Sequence, residues 1–483
     1  MSSSSSSNFT NPSTQQQTHL SLTFPKKPTS PSLHKPSFFT PITSSNSIHT
    51  KLVVSGGCKL SGHVNISGSK NSALAILAGT LCCSGTTKLC NIPNVSDIRT
   101  MTLVLRSLGV EVEVFNGEMI VNTDGICSVE PCDDAVGRFR AGFFVAGPLL
   151  ARFGEAVIAM PGGCDIGARP IDIYVQGFRA LGANVELRER KLYTHAANGK
   201  GLVAGRFRLD FPSVGATETL MMAASMADGV TVLSNVAQEP EVVDLARFLN
   251  DCGASVDGAG SNTLVINGRK KLHGPEFSVI PDRIEAGTFL IAAAITGSSF
   301  SMSPVIPSHL TSVIEKLSNA GCHIIQNEPN TLEIAAVPLE TMQSLQSFNI
   351  KTGPFPQFPT DLQPQTMGLL TMCKGQSIVE ELVFEGRMSH VRELQKLGAC
   401  IRVCGSTAVI NGKGQGSSLR GARVVANDLR SGAALVLAGL ASEGITEIEG
   451  VTHIDRGYEN LETKLFCLGA DIVRKSSSLA TQL

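Results

Sequence analysis

The sequence has no tryptophan, no excess of basic over acidic residues, no CxxC pair and no long apolar run. Lys plus Arg number 40 against 41 for Asp plus Glu, so the chain lacks the basic surplus with which a general nucleic-acid binder neutralises phosphates. No nucleic-acid partner is expected, and any affinity for anions must be local. The longest apolar stretches, 74–83 and 141–151, fall short of the roughly 18 to 20 residues a membrane-spanning helix needs. No membrane partner is expected either. The 13 cysteines, an odd count without CxxC, argue against both a disulfide framework and a zinc ribbon. Reduced thiols are expected, with Cys82, Cys83, Cys322 and Cys467 as small core residues in helical apolar patterns. No His, Cys and carboxylate cluster has metal-ligand spacing, no G-x-x-x-x-G-K-S/T loop occurs and no G-x-G-x-x-G follows a strand. Neither a metal nor another cofactor is expected. What is present, 42% hydrophobic and 17% charged residues, reads as a soluble globular protein with more than one core.

Residues 1–50 belong to another class. They hold 14 Ser, 8 Thr and three Lys (Lys26, Lys27, Lys35), with no Arg and no acidic residue. A hydroxyl-rich, acid-free, weakly basic N-terminus without a continuous apolar segment reads as an organelle transit peptide, and the missing Arg favours plastid over mitochondrion. An ordinary disordered tail has the same composition. On the transit reading the mature protein works in the chloroplast stroma, with 37 basic and 41 acidic residues.

The body is repetitive. Junctions of the form apolar-x-x-(L/A/C)-Gly followed by an alternating apolar run occur at Gly109, Gly182, Gly253, Gly321, Gly398 and Gly469, spaced 73, 71, 68, 77 and 71. A second series, Gly85, Gly154, Gly229, Gly297, Gly375 and Gly444, is spaced 69, 75, 68, 78 and 69. Two independent markers share one period, so six units are expected, each a polar lead-in, apolar helix, Gly, strand, loop, amphipathic helix, Gly and strand. In the third unit the pattern predicts helices over 218–228 and 242–252. Six such units exceed one core and predict an α/β protein of two lobes with three units each.

The apolar first helices should be buried, yet polar residues precede them: Ser69-Lys70-Asn71, Arg138-Phe139-Arg140, Pro212-Ser213-Val214-Gly215, Asp282-Arg283, Thr360-Asp361 and Asp428-Leu429-Arg430. If the units are equivalent, these are equivalent helix N-termini, whose unpaired N–H groups and partial positive charge attract anions. Lys70, Arg140 and Arg430 would strengthen the trap; simple N-capping is the plainer reading of any one of them. In the second unit, Met160-Pro161-Gly162-Gly163-Cys164-Asp165-Ile166-Gly167-Ala168-Arg169-Pro170 makes a flexible loop with a thiol expected to be exposed. Arg169 is placed to hold an anion there, and a nearby guanidinium favours a thiolate; an idle surface cysteine is the alternative. His390 is a possible acid or base, though a lone His is more often structural.

Taken together, these segments resemble the enolpyruvyl transferase family, in its UDP-N-acetylglucosamine branch. Gly68-Ser69-Lys70-Asn71, 161–170, Pro212-Ser213-Val214-Gly215-Ala216-Thr217, Pro281-Asp282-Arg283-Ile284-Glu285, Phe358-Pro359-Thr360-Asp361, Asp428-Leu429-Arg430 and Asp455-Arg456-Gly457-Tyr458-Glu459 match its signatures in order. The resemblance covers residues 51 to about 474. It implies an inside-out α/β barrel of six repeats in two lobes joined by a double crossover, one lobe being 70–280 and the other 51–69 plus 281–483. It implies transfer of the enolpyruvyl group of phosphoenolpyruvate to the 3′-hydroxyl of UDP-N-acetylglucosamine with release of phosphate, the opening step of peptidoglycan precursor synthesis. Lys70, Arg140, Arg169, Arg430 and Arg456 then clamp the anionic groups. Cys164 resembles the family's general acid, which can also become covalently attached, and Asp361 the residue that takes the sugar hydroxyl proton or positions it. Asn71, Ser213, Val214, Gly215 and Val383 match positions that hold the UDP-sugar.

Two places depart from the family pattern. Phe384-Glu385-Gly386-Arg387-Met388 stands for Phe-Glu-Asn-Arg-Phe, and Arg140-Ala141-Gly142 for Arg-Ala-Ser. Neither removes a proposed charge. An enolpyruvylshikimate-phosphate synthase is the nearest alternative in the same fold, but its Lys-Ser and Gly-Asn-Ala-Gly-Thr-Ala-x-Arg signatures are missing. A non-catalytic UDP-sugar-binding descendant is the alternative from another class.

Overall fold

All twelve marker glycines have a positive φ, between +61° and +113°, the conformation that lets a helix stop and the chain turn into a strand without a Cβ clash. The computed structural model describes residues 49–167, 169–199, 201–336, 344–413 and 419–477, and in it these glycines punctuate six units of one design. Residues 1–48, most of the expected leader, lie outside the described residues. His49 and Thr50, assigned to that leader, are instead paired in the strand His49–Ser55.

The third unit shows the design. A buried helix, Val214–Ala224, leads to the strand Val230–Ser234, then to the amphipathic helix Pro240–Asp251 and a hairpin of Ser255–Asp257 with Thr263–Asn267. The second hairpin strand pairs antiparallel with 230–234, and the short strand Arg206–Arg208 adds in parallel on the far side. The sheets of the first, fourth and fifth units repeat this order, and the second has three strands among the described residues. In the sixth, His49–Ser55 takes the place of the second hairpin strand, pairing antiparallel with both Ile445–Glu449 and Asp471–Ser477. The first described strand therefore lies inside the last unit.

The central helices are apolar all round and have no face to offer water. Nine of the ten residues of Lys70–Gly79 and all twelve of Leu429–Leu440 are buried. Two cores result, one of side chains from Ala73 to Val279, the other of Leu52 to Ile66 together with Ile284 to Ile472. The chain passes between them twice, side by side: the Ser69 N–H donates to the Ile280 carbonyl at 2.7 Å and the Asp282 N–H to the Ser67 carbonyl at 2.9 Å. Each passage is anchored by a short parallel strand, His63–Asn65 on Ser299–Ser303 and Glu276–Ser278 on Thr86–Cys90.

Several expectations are corrected. The third central helix spans Val214–Ala224, not 218–228, because the backbone at Asp228 is captured by Leu202 through a 2.9 Å hydrogen bond, a tertiary pairing that outweighs helix continuation. Two of the six lead-ins are 3₁₀ turns, Arg140–Val145 and Thr360–Leu362, instead of α-helix starts. The following helices carry Pro148 and Pro364 in their first turns, the only part of a helix where a missing N–H is tolerated, so the α-helix begins late. Cys467 is exposed, not core: the helix Leu461–Cys467 buries Leu461 and Leu465, and position 467 faces away from that stripe. Cys322 is buried but lies on the strand Cys322–Glu328.

Candidate active site

Residues from all six lead-ins, Lys70, Arg140, Ser213, Arg283, Asp361 and Arg430, line one cleft of about 540 Å³. The remaining sequence candidates, Asn71, Cys164, Arg169, Val214, Gly215, Val383 and Arg456, line it too. Helix starts place the first group. Ser69 caps the helix Lys70–Gly79, with its hydroxyl accepting from the Ser72 N–H, and Ser213 caps Val214–Ala224 in the same way at Ala216. Val214 and Gly215 thus sit in a first turn whose N–H groups have no helical acceptor. A Cβ on Gly215 would lie 2.5 Å from the Tyr174 hydroxyl, so only glycine lets this helix start approach the cleft wall. Asp428 caps Leu429–Leu440 through a capping box and leaves Arg430 buried at the floor.

Cys164 is half-buried and packs against the second core, which corrects the expectation of an exposed thiol. Its neighbour is also corrected. Arg169, nearest in sequence, donates to the Cys164 carbonyl at 2.7 Å, whereas the group on the sulfur is Arg456, whose Nη1 donates to Sγ at 2.9 Å. Arg456 Nε in turn donates to Asp97 Oδ1 at 2.9 Å, and Lys70 Nζ lies 3.4 Å from Asp97 Oδ2.

On the facing wall Asp361 accepts from Arg430 Nη2 at 3.0 Å and from Arg387. Burial alone would raise its pKa, but Arg430, Arg387 and Lys70 outweigh it and hold the carboxyl well below the usual carboxylate range. Four cations thus share two carboxylates, Asp97 and Asp361. Arg140 and Arg169 have no carboxylate partner among the described residues; Arg140 lies 5.8 Å from the Tyr174 ring centroid. The Arg169 pKa is lowered by burial and by the like charges of Arg140, Arg387 and Arg456. Such a cluster is stable when it holds an anion.

The lining also holds the acidic residues Glu218, Glu239 and Glu241. Arg283 pairs with Glu241, Nε to Oε1 at 3.0 Å, and Glu239 Oε1 accepts from the Phe355 N–H at 3.1 Å. Glu218 is buried, and burial together with Glu241 and Glu239 pushes its pKa well up. Val383 is set by Glu381, which accepts from its N–H at 2.9 Å and from Thr352 Oγ1 at 2.8 Å. His390 does not line the cleft; it is fully buried, and burial lowers its pKa to about 4. Among the described residues no group of His, Cys, Asp and Glu has the arrangement of a metal site.

Asp97, Arg387, Glu381 and the Glu241–Arg283 pair were not singled out as site residues from the sequence. Asp97 opens the amphipathic helix Ser96–Ser107, where an acidic first turn is ordinary. Arg387 belongs to the segment 384–388, and nothing local in the sequence shows its pairing with Asp361. An Asp361→Asn variant is expected to melt at lower temperature than the wild type near neutral pH, because Arg387 and Arg430 lose their shared counter-charge. A depressed carboxyl stabilises the fold above its unfolded value and ceases to as pH falls through its folded value, so the gap should narrow from about pH 4 downward. Differential scanning calorimetry across that range checks this; a gap that stays constant or widens contradicts it.

Residues 54–465 match the family profile described as EPSP synthase (3-phosphoshikimate 1-carboxyvinyltransferase). The chain is 50% identical over 426 residues to UDP-N-acetylglucosamine 1-carboxyvinyltransferase 2 of Carboxydothermus hydrogenoformans, covering 88% of this chain and 99% of that protein. It is 49% identical over 424 residues to UDP-N-acetylglucosamine 1-carboxyvinyltransferase of Gloeobacter violaceus, covering 88% and 90%. Its fold is similar to that of the enolpyruvyl transferase NikO from Streptomyces tendae, with a TM-score of 0.78 at 23% identity over 89% of this chain and 100% of the other. A six-unit body with its charged lead-ins gathered in one cleft, matched along most of its length by these proteins, belongs to the enolpyruvyl transferase family.

Proposed function

We propose that the chain transfers the enolpyruvyl group of phosphoenolpyruvate to the 3′-hydroxyl of UDP-N-acetylglucosamine by addition and elimination. The observation that carries this reading is the half-buried thiol of Cys164 held by Arg456 in a cleft whose cations exceed their carboxylate partners. Arg140 and Arg169 are ready to take the phosphate and carboxylate of phosphoenolpyruvate, since guanidinium forks suit both groups. Ser213 and the free N–H groups of Val214 and Gly215 suit the diphosphate of the UDP-sugar. Addition joins the sugar 3′-oxygen to C2 of phosphoenolpyruvate while a proton reaches the methylene carbon; elimination removes that proton and expels phosphate.

Cys164 is the acid in this scheme and Asp361 the base. Arg387 and Arg430 depress the proton affinity of Asp361, so it becomes an effective base as substrate anions engage those guanidiniums and weaken their hold. Ile166 lies beside Cys164 and is buried against the other lobe, which keeps bulk water from the reacting atoms and strengthens each charge interaction.

Purified protein lacking residues 1–48 is expected to consume phosphoenolpyruvate only when UDP-N-acetylglucosamine is added, with a product mass equal to that of the two substrates together less phosphoric acid. Cys164→Ser should lose at least about 100-fold in turnover, the scale of general acid catalysis. Phosphate release with shikimate 3-phosphate in place of the UDP-sugar overturns the substrate assignment, and binding of both substrates without turnover overturns the enzyme.

The composition of residues 1–50 supports import into plastids, where the product would enter peptidoglycan precursor synthesis. A fluorescent protein carrying residues 1–50 is expected to collect in chloroplasts of transformed leaf cells; diffuse cytosolic fluorescence contradicts this.

A further inference from the structure

The turn 384–387 of one lobe grips the Cys164 loop of the other, and the geometry points to Gly386 as the positioning residue that permits this grip and so seats the thiol on Arg456. The inference rests on the reading of Cys164 as the reacting group, and its consequences can be measured without substrate.

The Gly386 N–H donates to the Ile166 carbonyl at 2.9 Å, and the Ile166 N–H donates to the Cys164 carbonyl at 3.1 Å. Two hydrogen bonds therefore connect position 386 to the backbone of Cys164. A Cβ on Gly386 would lie 2.7 Å from the carbonyl carbon of Ile166 and 3.0 Å from the Gly167 nitrogen. Both are backbone atoms that cannot swing aside as a flexible side chain would. The φ of Gly386 is not in the left-handed region, so the cost of a side chain there is space alone. From the other side, a Cβ on Gly167 would strike the Glu385 carboxylate.

A second contact makes the same junction. The Phe384 ring lies between two cations, 6.0 Å from the Arg169 guanidinium of the loop and 5.5 Å from the Arg387 guanidinium of its own turn. Arg169 also holds the Cys164 carbonyl at 2.7 Å. Both branches of the grip thus converge on the Cys164 carbonyl, and the Asn-to-Gly departure at 386 lets the two backbones approach more closely than a side chain would allow. At Gly142, the other departure, a Cβ would lie 2.9 Å from the Val136 Cα, a contact inside one lobe.

Gly386→Asn and Gly386→Ala variants of the chain from residue 49 onward, kept free of substrates, are treated with iodoacetamide. Carbamidomethylation is followed residue by residue by peptide mass spectrometry at about pH 9.5, where a thiol is largely ionised with or without a neighbouring guanidinium, so that the rate reports access to the sulfur. Exposed Cys132 serves as the internal reference, and thermal melting is recorded in parallel. Cys164 of Gly386→Asn is expected to react about tenfold faster than in the wild type, the scale of population shift that a modest overpacking clash produces. Gly386→Ala should accelerate it less, with Cys132 unchanged in both. Phe384→Leu loosens the ring contact without a backbone clash and should also accelerate Cys164, which keeps the test open if Gly386→Asn does not fold. An unchanged or slower Cys164 rate in the folded variants overturns the inference, whichever reaction the cleft performs.

Discussion

The guanidinium of Arg456 is bound on both sides by the other lobe. Its Nε donates to Asp97, at the start of a helix in the first core, and its Nη1 donates to the sulfur of Cys164 on a loop from that same core. Arg456 itself follows a short helix of the second core. The contact is reinforced by the Ser96 N–H, which donates to the Asp455 carbonyl at 2.9 Å. Arg456 can meet the thiol only when the lobes are together, so the juxtaposition of thiol and cation depends on closure.

Closure gathers charge at a cost. Lys70, Arg387, Arg430 and Arg456 share two carboxylates, and Arg140 and Arg169 have none among the described residues. Taking cations out of water without full compensation is unfavourable, which leaves the cluster poised to take up an anion. Central helices begin at the cleft with side-chain caps on Ser69, Ser213, Asp282 and Asp428, so their backbone donors are partly satisfied while their charged residues are held at fixed positions. Elsewhere on the lining, Glu241 takes up the charge of Arg283. The cleft thus presents cations around Cys164 together with acidic groups at Glu239 and Glu241, a set that suits a ligand carrying both anionic and neutral hydroxyl groups.

Much of this was readable in the sequence because some positions have one physical solution. Each marker glycine sits where φ must be positive, and the six polar lead-ins stand before helices too apolar to face solvent, so the period and the convergence of charges are both written locally. Pairings over long separations are not. Arg169 is five residues from Cys164 and was assigned to its sulfur, while the group that reaches it, Arg456, is 292 residues away. The strand His49–Ser55 gives no local sign that it completes the sixth unit, whose other strands are Arg423–Val425, Ile445–Glu449 and Asp471–Ser477. Asp97 reads as an ordinary helix-start acid, and its role appears only when Lys70 and Arg456 arrive from elsewhere. The departure at Gly386 acquires a meaning only in the presence of Ile166.

Asp97 and Arg456 form the unit on which this arrangement turns, and a double-mutant cycle on kcat/KM for phosphoenolpyruvate measures that unit directly. Asp97→Asn, Arg456→Gln and the double variant are compared under one set of conditions. If Asp97 acts by holding Arg456 against Cys164, the double variant should be little worse than Arg456→Gln alone. Strictly multiplicative losses would show that the two residues act independently, and would contradict the bridge.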